Sequence, residues 1–558
     1  KMKFIGKFFL ILLLILLLLL VAAWFVLKST WGAGTLSRWI SDDTVYHLSI
    51  GRIRHSLSSP LVVTLDDFTF GNDGQPAMVV AGKVTLGLSL LQFSDPSHFD
   101  SLRLSDGEID LANIRPGTGF PLQANHLYLD NISVVQPDVN KSYQTSETTA
   151  EISPWKPSQS EMLGNSYSFH IGIGQLTLGQ QHLQNISARG SVSPQKLVLD
   201  NVNGEAERGT FSGSAIREAD HWQIRQLNLE NTRFQTSKSL PELLAPLEQH
   251  DIQPGQVSVS HATIVGPDWA VTDLNLQLNN PQIPDNTLLS GGGKLSLQAS
   301  EFVWGTQGFT QPQVAMEQTA QGLNISNFST HWVNGTVTAN GTWSSDSQQL
   351  AVDNLSLTGL EYTLPEDWRQ FWQAPLPDWL DSVLVRNLTI NNSLVIDINP
   401  RFPFQMTALH ASGTQMLLAQ NHQWGIWSGD SEWQAAEATF NRQDIRAPWL
   451  KLHADAQKIS INDFKMLVNK GPMVGSAQIS QQHSRDFSVN LRGQSVPVNV
   501  FANWGWPVTS VTGQGNLTLN ASGSLQADKQ LAPTVNGSLN ISTDAGAVQQ
   551  TMQNGNIQ

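Results

Sequence analysis

The longest apolar run of the chain lies near its start. From Phe8 to Leu27, no side chain carries a charge. A helix rises about 1.5 Å per residue, so the run spans roughly 30 Å, the thickness of a bilayer's hydrocarbon core. Three lysines precede it, and the positive-inside bias places that end in the cytoplasm. The pattern predicts a cytoplasmic segment over residues 1–7 and a transmembrane helix over residues 8–27. Its anchoring side chains are Phe8, Phe9, Leu10, Leu14, Leu20, Trp24 and Leu27.

A cleaved signal peptide is the alternative interpretation of this run. Signal peptides have a shorter apolar region, which ends in a small-x-small cleavage site. Here Ala22 and Ala23 are followed at once by the bulky pair Trp24 and Phe25. We therefore predict a retained anchor, followed by a juxtamembrane helix over residues 28–41.

Beyond residue 42 the apolar residues recur with a period of two. Leu274, Leu276 and Leu278, for example, alternate with Asn275 and Gln277. Such alternation indicates a strand with one apolar and one polar face. Similar runs continue through residues 42–542, which predicts a mainly β region: an elongated, curled and repetitive amphipathic sheet with a few short helices.

A finer repeat is superimposed on these strands: two apolar pairs flank a short polar or glycine-containing break. The clearest breaks are Asp106-Gly107, Asp130-Asn131 and Thr358-Gly359. Side chains of an uninterrupted strand alternate between its two faces. The length of each break would therefore turn the second apolar pair to the face opposite the first. A hairpin or a β-bulge would keep both pairs on one face. Bulges are favoured for most copies because hairpins would leave very short arms, although Asp106-Gly107 is a hairpin signal.

Either structure preserves one continuous apolar face, and bulges would also make the sheet curl. The residues predicted to line this face are Leu102, Leu104, Ile109, Leu111, Leu127, Leu129, Ile132, Val134, Leu355 and Leu357.

Two segments, near residues 239–249 and 363–383, have helical rather than strand patterns. The first starts with a capping box at Ser239, and the second repeats that start signal at Thr363. The apolar stripes comprise Leu240, Leu243, Leu244 and Leu247, and then Trp368, Phe371 and Trp372. We interpret both helices as caps on the sheet; interfacial membrane contact is the alternative. Residues 137–160 are predicted to form a flexible loop and residues 543–558 a disordered tail.

Composition excludes several classes of function. The chain has no cysteine, so disulfides, thiolate catalysis and zinc–thiolate sites are ruled out. Its formal net charge of −14 argues against nucleic-acid binding by bulk electrostatics. The 14 histidines show no metalloprotease spacing, and no nucleophile elbow is present. We therefore expect no enzyme activity, no metal and no cofactor.

Several short motifs carry a resemblance to a known family. They are Trp31-Gly32-Ala33, Arg38-Trp39-Ile40, Tyr46-His47-Leu48, and the segments at 70–77, 266–274, 359–365, 497–499 and 504–507. With the single anchor and the bulged amphipathic strands, the chain resembles the AsmA family of Gram-negative envelope proteins over its whole length.

The resemblance implies an inner-membrane protein with its bulk in the periplasm, built as a curled β-groove. It further implies phospholipid acyl chains as ligands and a part in phospholipid transfer and outer-membrane homeostasis. Two other interpretations remain open. The apolar face could be closed as a β-sandwich core, or the protein could be a periplasmic scaffold that binds outer-membrane or periplasmic proteins through exposed sheet edges.

Overall fold

The computed structural model describes residues 7–19, 46–72, 74–113, 122–136, 142–158, 161–206, 208–249, 252–281, 292–506 and 511–558. The chain divides into two compact units, Lys1–Pro267 (unit 1) and Asp268–Gln558 (unit 2). The juxtamembrane helix predicted over residues 28–41 lies outside the described residues.

The described part of the N-terminal apolar run is helical. Residues 7–19 form helix α1, and its large apolar side chains are all exposed, Phe9 and Leu13 by 65% each. The rest of the predicted span, residues 20–27, lies outside the described residues. Among the helices that the structure describes, none is long and apolar enough to cross a bilayer.

Unit 1 contains fourteen described strands and one further helix. The strands are β1 Tyr46–Ser49, β2 Arg52–Ser56, β3 Ser59–Asn72, β4 Val79–Gly87, β5 His98–Asp110, β6 Gln123–Gln136, β7 Tyr143–Ser153, β8 Tyr167–Leu178, β9 Gln181–Ser193, β10 Lys196–Ala206, β11 Gly209–Glu218, β12 His221–Glu230, β13 Arg233–Gln235 and β14 Ile252–Val265; helix α2 is Leu240–Gln249. From β3 to β12 each strand pairs with the next, antiparallel except for β5 with β6.

Unit 2 contains twenty described strands. They are β15 Trp269–Asn279, β16 Lys294–Gln298, β17 Glu301–Trp304, β18 Gln307–Thr319, β19 Gly322–Trp332, β20 Gly335–Ser344, β21 Gln349–Thr358, β22 Glu361–Thr363, β23 Ser382–Asp397, β24 Phe404–Gln420, β25 Gln423–Gln434, β26 Glu437–Phe440, β27 Gln443–Ala454, β28 Lys458–Val468, β29 Gly471–Ser480, β30 Asp486–Pro497, β31 Gln514–Ser524, β32 Asn536–Thr543, β33 Gly546–Gln553 and β34 Asn556–Ile557. Helix α3 is Trp368–Gln373, and a 3₁₀ turn, Val500–Trp504, follows β30.

Three groups of described strands pair in parallel among otherwise antiparallel neighbours. They are β5 with β6, β12 and β13 with β14, and β21 and β22 with β23. A parallel pair requires a crossover connection, because a hairpin can join only antiparallel strands. Helices α2 and α3 lie in two of these crossovers. The predicted helical segments are therefore the connections that parallel pairing demands.

The repeat breaks beside the crossover between β5 and β6 are single left-handed residues within continuous strands. Asp106 in β5 has φ 57° and Asn131 in β6 has φ 54°. Pairing resumes beyond them in both strands, with Ser105 opposite Asp130 and Gly107 opposite Ile132. One extra residue per strand at the same level shifts the parity of both strands together, so the apolar pairs stay on one face. The predicted bulge-like breaks are confirmed here.

The hairpin signal at Asp106-Gly107 was wrong. Residues on both sides of the dipeptide pair with β4, with Ala81 opposite Gly107 and Lys83 opposite Ser105. A Cβ atom on Gly107 would clash with the carbonyl oxygen of Val80. This glycine therefore allows close approach of two strands rather than a turn.

The two predictions of disorder were wrong where they can be compared with described residues. Strand β7 occupies Tyr143–Ser153, inside the predicted loop over residues 137–160. The predicted disordered tail over residues 543–558 contains β33 and β34. The polar composition of both segments indicated disorder, but an amphipathic strand needs only every second side chain to be apolar. Residues 137–141 and 159–160 lie outside the described residues.

Helix α2 begins as predicted, whereas α3 does not. Ser239 and Glu242 form a reciprocal capping box, each backbone N–H donating to the other's side chain at 3.4 Å. The start signal at Thr363 is wrong, because Thr363 ends β22 and α3 begins only at Trp368. Thr363 is still paired with β23, opposite Ile396, so the first residue of the predicted capping sequence belongs to the strand.

Candidate functional site

In unit 2, the apolar side chains of β15 to β20 share one face of the sheet. Neighbouring strands place Val271 opposite Phe302, Leu276 opposite Leu297, and Val314 opposite Phe328. Leu297, Phe302, Val314 and Phe328 are all half-buried. Because side chains of a strand alternate between faces, the intervening polar residues lie on the other side. This half-buried surface is named the apolar face of unit 2.

Five aromatic rings form a row along one border of this face. Trp304, Phe302, Phe309, Trp332 and Tyr362 are successive members, with ring centroids 6.1, 6.2, 6.3 and 5.2 Å apart. Such separations are typical of favourable aromatic pairs. Trp304 is 47% exposed, and the other four rings are half-buried. The row, named the aromatic ladder, is therefore partly accessible from outside the protein.

The aromatic ladder extends beyond the turn between β19 and β20 because β22 lies directly beside that turn. The Glu361 backbone N–H donates to the carbonyl of Val333 at 2.8 Å, and the Asn334 side chain donates to Glu361 at 2.9 Å. These bonds bring Tyr362 next to the ring of Trp332. Burial raises the pKa of the Tyr362 phenol above its ordinary value.

The corresponding face of unit 1 is also half-buried over β10 to β12. Leu227 and Leu229 of β12 lie opposite Gly213 and Phe211 of β11, and all four residues are half-buried. The neighbouring Gln226 and Glu230 are exposed. This segment has the same alternation as the apolar face of unit 2.

Seven of the residues predicted to line an open groove belong to the unit 1 core or pack against it. Leu102, Leu104, Leu127 and Ile132 are only 6%, 8%, 5% and 0% exposed and belong to the unit 1 core. Ile109, Leu129 and Val134 pack against that core. Trp155 and Leu163, which follow β7, pack on the same cluster. Chain segments beyond the strand ends thus fill this part of the face, which the sequence pattern could not show.

The other three residues predicted to line the groove are less buried than the four core residues. Leu355 and Leu357 are half-buried and pack against a core of unit 2 that includes Val385 and Met416. Leu111 lies in a 3₁₀ turn after β5 and is half-buried. None of these three residues is fully exposed, but each has a partly accessible side chain.

The predicted caps differ in how closely they contact the sheet. Trp368 donates its indole N–H to the buried carboxylate of Asp397 at 3.1 Å. Trp372 meets Trp424 of β25 edge-on at 5.5 Å, whereas Phe371 is 59% exposed. The segment after α3 makes the deeper contact, through the buried Leu380.

Helix α2 presents a mixed surface. Leu240 and Leu243 are half-buried, and Leu244 is 52% exposed. The side chain of Leu247 lies outside the described part of the structure. Both the cap interpretation and the membrane-contact interpretation therefore stay predictions for α2.

Comparison with known proteins identifies the family. The sequence model of the AsmA family matches residues 2–556. The chain belongs to the AsmA family. The AsmA family protein YicH of Escherichia coli (strain K12) is 37% identical over 557 residues, covering 99% of this chain and 98% of that relative. No solved structure matches the chain. The resemblance drawn from the short sequence motifs is confirmed, and the AsmA chain has the mainly β fold that the alternation predicted.

Proposed function

We propose that this AsmA-family protein is anchored in the bacterial inner membrane by residues 8–27 and extends its strands into the periplasm. Its apolar faces bind phospholipid acyl chains and contribute to phospholipid transfer and outer-membrane homeostasis, with no covalent chemistry. The lysine-flanked apolar run supports the location. The observation that supports acyl chains as the ligand is the half-buried apolar face of unit 2, bordered by the aromatic ladder.

The physical argument for acyl-chain binding is the free energy gained when apolar surface is removed from water. Apolar surface removed from water contributes about 25 cal/mol per Å². A half-buried leucine or phenylalanine still has apolar surface to cover, and several adjacent ones make a continuous patch of the kind that marks a binding site. An acyl chain is a flexible apolar ligand that can follow such a patch from strand to strand.

The ladder adds an argument about the ligand's polar end. In membranes, tryptophan and tyrosine gather where acyl chains meet headgroups, because their rings are apolar and their N–H or O–H groups are polar. Trp332 already uses its indole N–H, which donates to Gln307 at 3.0 Å. A border of this composition suits a lipid that is apolar on one side of the ladder and hydrated on the other.

The test is mass spectrometry of lipids that co-purify with the full chain in a phosphate-free detergent. We expect phospholipid to be retained through extensive washing. The matched control is the Val314→Asp, Phe328→Asp double variant, which places two charges on the apolar face and should lose the lipid while keeping its thermal unfolding transition. Retention of equal phospholipid by the variant would refute the proposal. Absence of lipid from both, with outer-membrane protein precursors captured instead, would favour the scaffold function.

A further inference from the structure

Four apolar side chains are exposed at one end of strands β2, β3 and β4 in unit 1. Leu57 lies in the two-residue turn that joins β2 to β3 and is 68% exposed. Leu61 and Val62, near the start of β3, are 57% and 37% exposed. Leu90, in the 3₁₀ turn after β4, is 81% exposed. These four residues are named the apolar tip of unit 1.

Pairing of β3 with β4 brings the two turns of the tip to the same end of the sheet. Val62 lies opposite Gly87, and the backbone N–H of Leu88 donates to the carbonyl of Leu61 at 2.7 Å. Leu90 follows Leu88 directly after one serine. The leucine exposed after β4 is therefore at the hairpin end that carries the exposed residues of β3.

The composition of both turns differs from that of ordinary hairpin ends. Residues 56–65 and 84–94 contain no charged side chain. Turns between strands usually carry polar residues or glycine, as Asn441-Arg442 and Asn469-Lys470 do in unit 2. Single exposed leucines are common on protein surfaces, but a cluster of them among uncharged residues marks a contact surface.

Apolar residues of the tip lie on both faces of the sheet. Leu61 shares a face with Val63 and Leu65, of which Leu65 belongs to the unit 1 core and Val63 packs against it. Val62 lies on the opposite face, and Leu57 lies at the hairpin end. A ligand bound along the core face would cover Leu61 and leave Val62 in water. Only an apolar medium that surrounds the tip, such as a lipid bilayer, covers all of these side chains.

The charges nearest to the hairpin end set a depth that fits a membrane interface. Arg54 and Asp66 form an ion pair with two hydrogen bonds, of 2.7 and 2.8 Å. Leu57 is three residues beyond Arg54, and a strand rises about 3.3 Å per residue, so the leucine projects roughly 10 Å past the pair. Amphipathic segments bury their apolar side about 5–10 Å into the boundary between headgroups and acyl chains. The tip can therefore enter that boundary while the ion pair stays hydrated.

The tip is also within reach of the proposed membrane anchor. Residues 28–45, which lie outside the described residues, join the predicted span to Tyr46, and a chain of that length extends at most about 60 Å. The edge formed by β1 and β2 runs about 35 Å from Tyr46 to Leu57. Either end of this edge can therefore lie at the membrane in which residues 8–27 are anchored.

We propose that the apolar tip of unit 1 inserts into the interface of the lipid bilayer that holds residues 8–27. The first strands of unit 1 then contact the membrane surface at a second point, distinct from the span. The proposal rests on the membrane anchoring in the proposed function, and it is independent of acyl-chain binding in unit 2.

The experiment measures the depth of single labels in vesicles that contain the full chain. Because the chain has no cysteine, Leu57→Cys, Val62→Cys and Leu90→Cys each carry one NBD fluorophore. Gln75→Cys, at an exposed position in the turn at the other end of β3 and β4, is the matched control. Leu13→Cys reports on the anchor. Vesicles of phosphatidylethanolamine and phosphatidylglycerol contain either plain lipid or lipid with a nitroxide near the top of the acyl chain, and iodide is the quencher in water.

The proposal predicts that nitroxide lipid lowers the fluorescence at Leu57, Val62 and Leu90 by about half or more, because the labels lie at interfacial depth. The label at Gln75 should respond to iodide and not to the lipid. In the Leu57→Ser, Leu90→Ser background, lipid quenching at Val62 should fall to the Gln75 level. Thermal unfolding should be unchanged, since all substituted tip residues are exposed.

Three results at the tip would overturn the proposal. Iodide quenching equal to that at Gln75, with no lipid quenching, would place the tip in water. Lipid quenching that spares Val62 would assign the contact to a lipid bound on one face of the sheet. Protection from both quenchers would mean that a protein, or a second copy of this chain, covers the tip.

The label at Leu13 separates this proposal from the proposed anchoring. Lipid quenching at Leu13 without quenching at the tip would refute the tip contact and leave the anchor standing. Quenching at the tip without quenching at Leu13 would support the membrane contact and refute the anchor. Quenching at neither would refute both.

Discussion

Asn131 donates its side-chain amide to the carboxylate of Asp106 at 2.9 Å, and both residues have left-handed backbones on parallel strands. The bond ties the extra residue of β6 to the extra residue of β5. Equivalent left-handed pairs occur at the other two parallel crossovers, Asn231 with His261 and Gly359 with Asn392. The parity shift is therefore made at the same level on both strands of every parallel pair.

The first prediction concerns this pair. Asn131→Ala removes the hydrogen bond and places alanine in a left-handed conformation, which should lower the free energy of unfolding by about 1–2 kcal/mol. Asn131→Gly is the matched control, because glycine adopts this conformation without strain. Thermal unfolding followed by circular dichroism should rank wild type, Gly and Ala in falling order of stability. If Ala were as stable as Gly, backbone strain at the bulge would not matter.

The second prediction tests the contact between α3 and β23. Trp368→Phe keeps the ring but removes the donor to Asp397, a carboxylate that is only 7% exposed. We expect a loss of about 1–3 kcal/mol, because a buried acceptor loses one partner. Phe371→Leu, at a 59% exposed position, should leave the transition unchanged.

The outcome also separates the two interpretations of α3. A helix that caps the sheet should show the stability loss with Trp368→Phe. A helix that serves membrane contact should instead show unchanged stability and weaker vesicle binding on Phe371→Ser. If neither quantity changed in either variant, both interpretations would be wrong.

The third prediction compares a charge in the core with a charge on the apolar face. Val385 is 1% exposed, so Val385→Asp buries an unpaired carboxylate and should cost about 3–5 kcal/mol or more. Val314 is half-buried, and an aspartate there can reach water. Val314→Asp should therefore keep most of the melting temperature. Equal collapse of both variants would mean that the apolar face of unit 2 is a closed core.

Sequence alone predicted the strands and the shared face, because alternation and parity are local properties. The bulge-like residues at Asp106 and Asn131 could be inferred from the spacing of Leu102, Leu104 and Ile109. The depth to which each apolar side chain is buried could not be inferred from the sequence. Leu102 and Leu227 stand in similar patterns, yet Leu102 is 6% exposed and Leu227 is half-buried. That difference depends on segments distant in sequence, such as the one that carries Trp155.

One functional feature, the aromatic ladder, was missed for a related reason. The aromatic ladder requires the order of β17, β18, β19 and β22, and the contact of Trp332 with Tyr362 depends on where β22 docks.

The fourth prediction concerns the location of the strands. A periplasm-dependent reporter fused after Gln558 should be active in a Gram-negative host, because a single span with a lysine-flanked cytoplasmic end leaves the rest outside. Replacing Lys1, Lys3 and Lys7 with glutamate should reduce that activity by weakening the orientation signal. An active cytoplasmic reporter at the same position would reverse the proposed topology.

Photo-crosslinking within cells tests the central claim most directly. A benzoylphenylalanine at Val314 would lie on the apolar face of unit 2, and one at the exposed Gln313 would lie on the opposite face. Leu227 and the exposed Gln226 provide the same comparison in unit 1. Ultraviolet irradiation followed by mass spectrometry should show phospholipid attached at Val314 and Leu227, and none at Gln313 or Gln226. Equal attachment at all four positions, or attachment at none, would contradict the assignment of the apolar faces as acyl-chain binding surfaces.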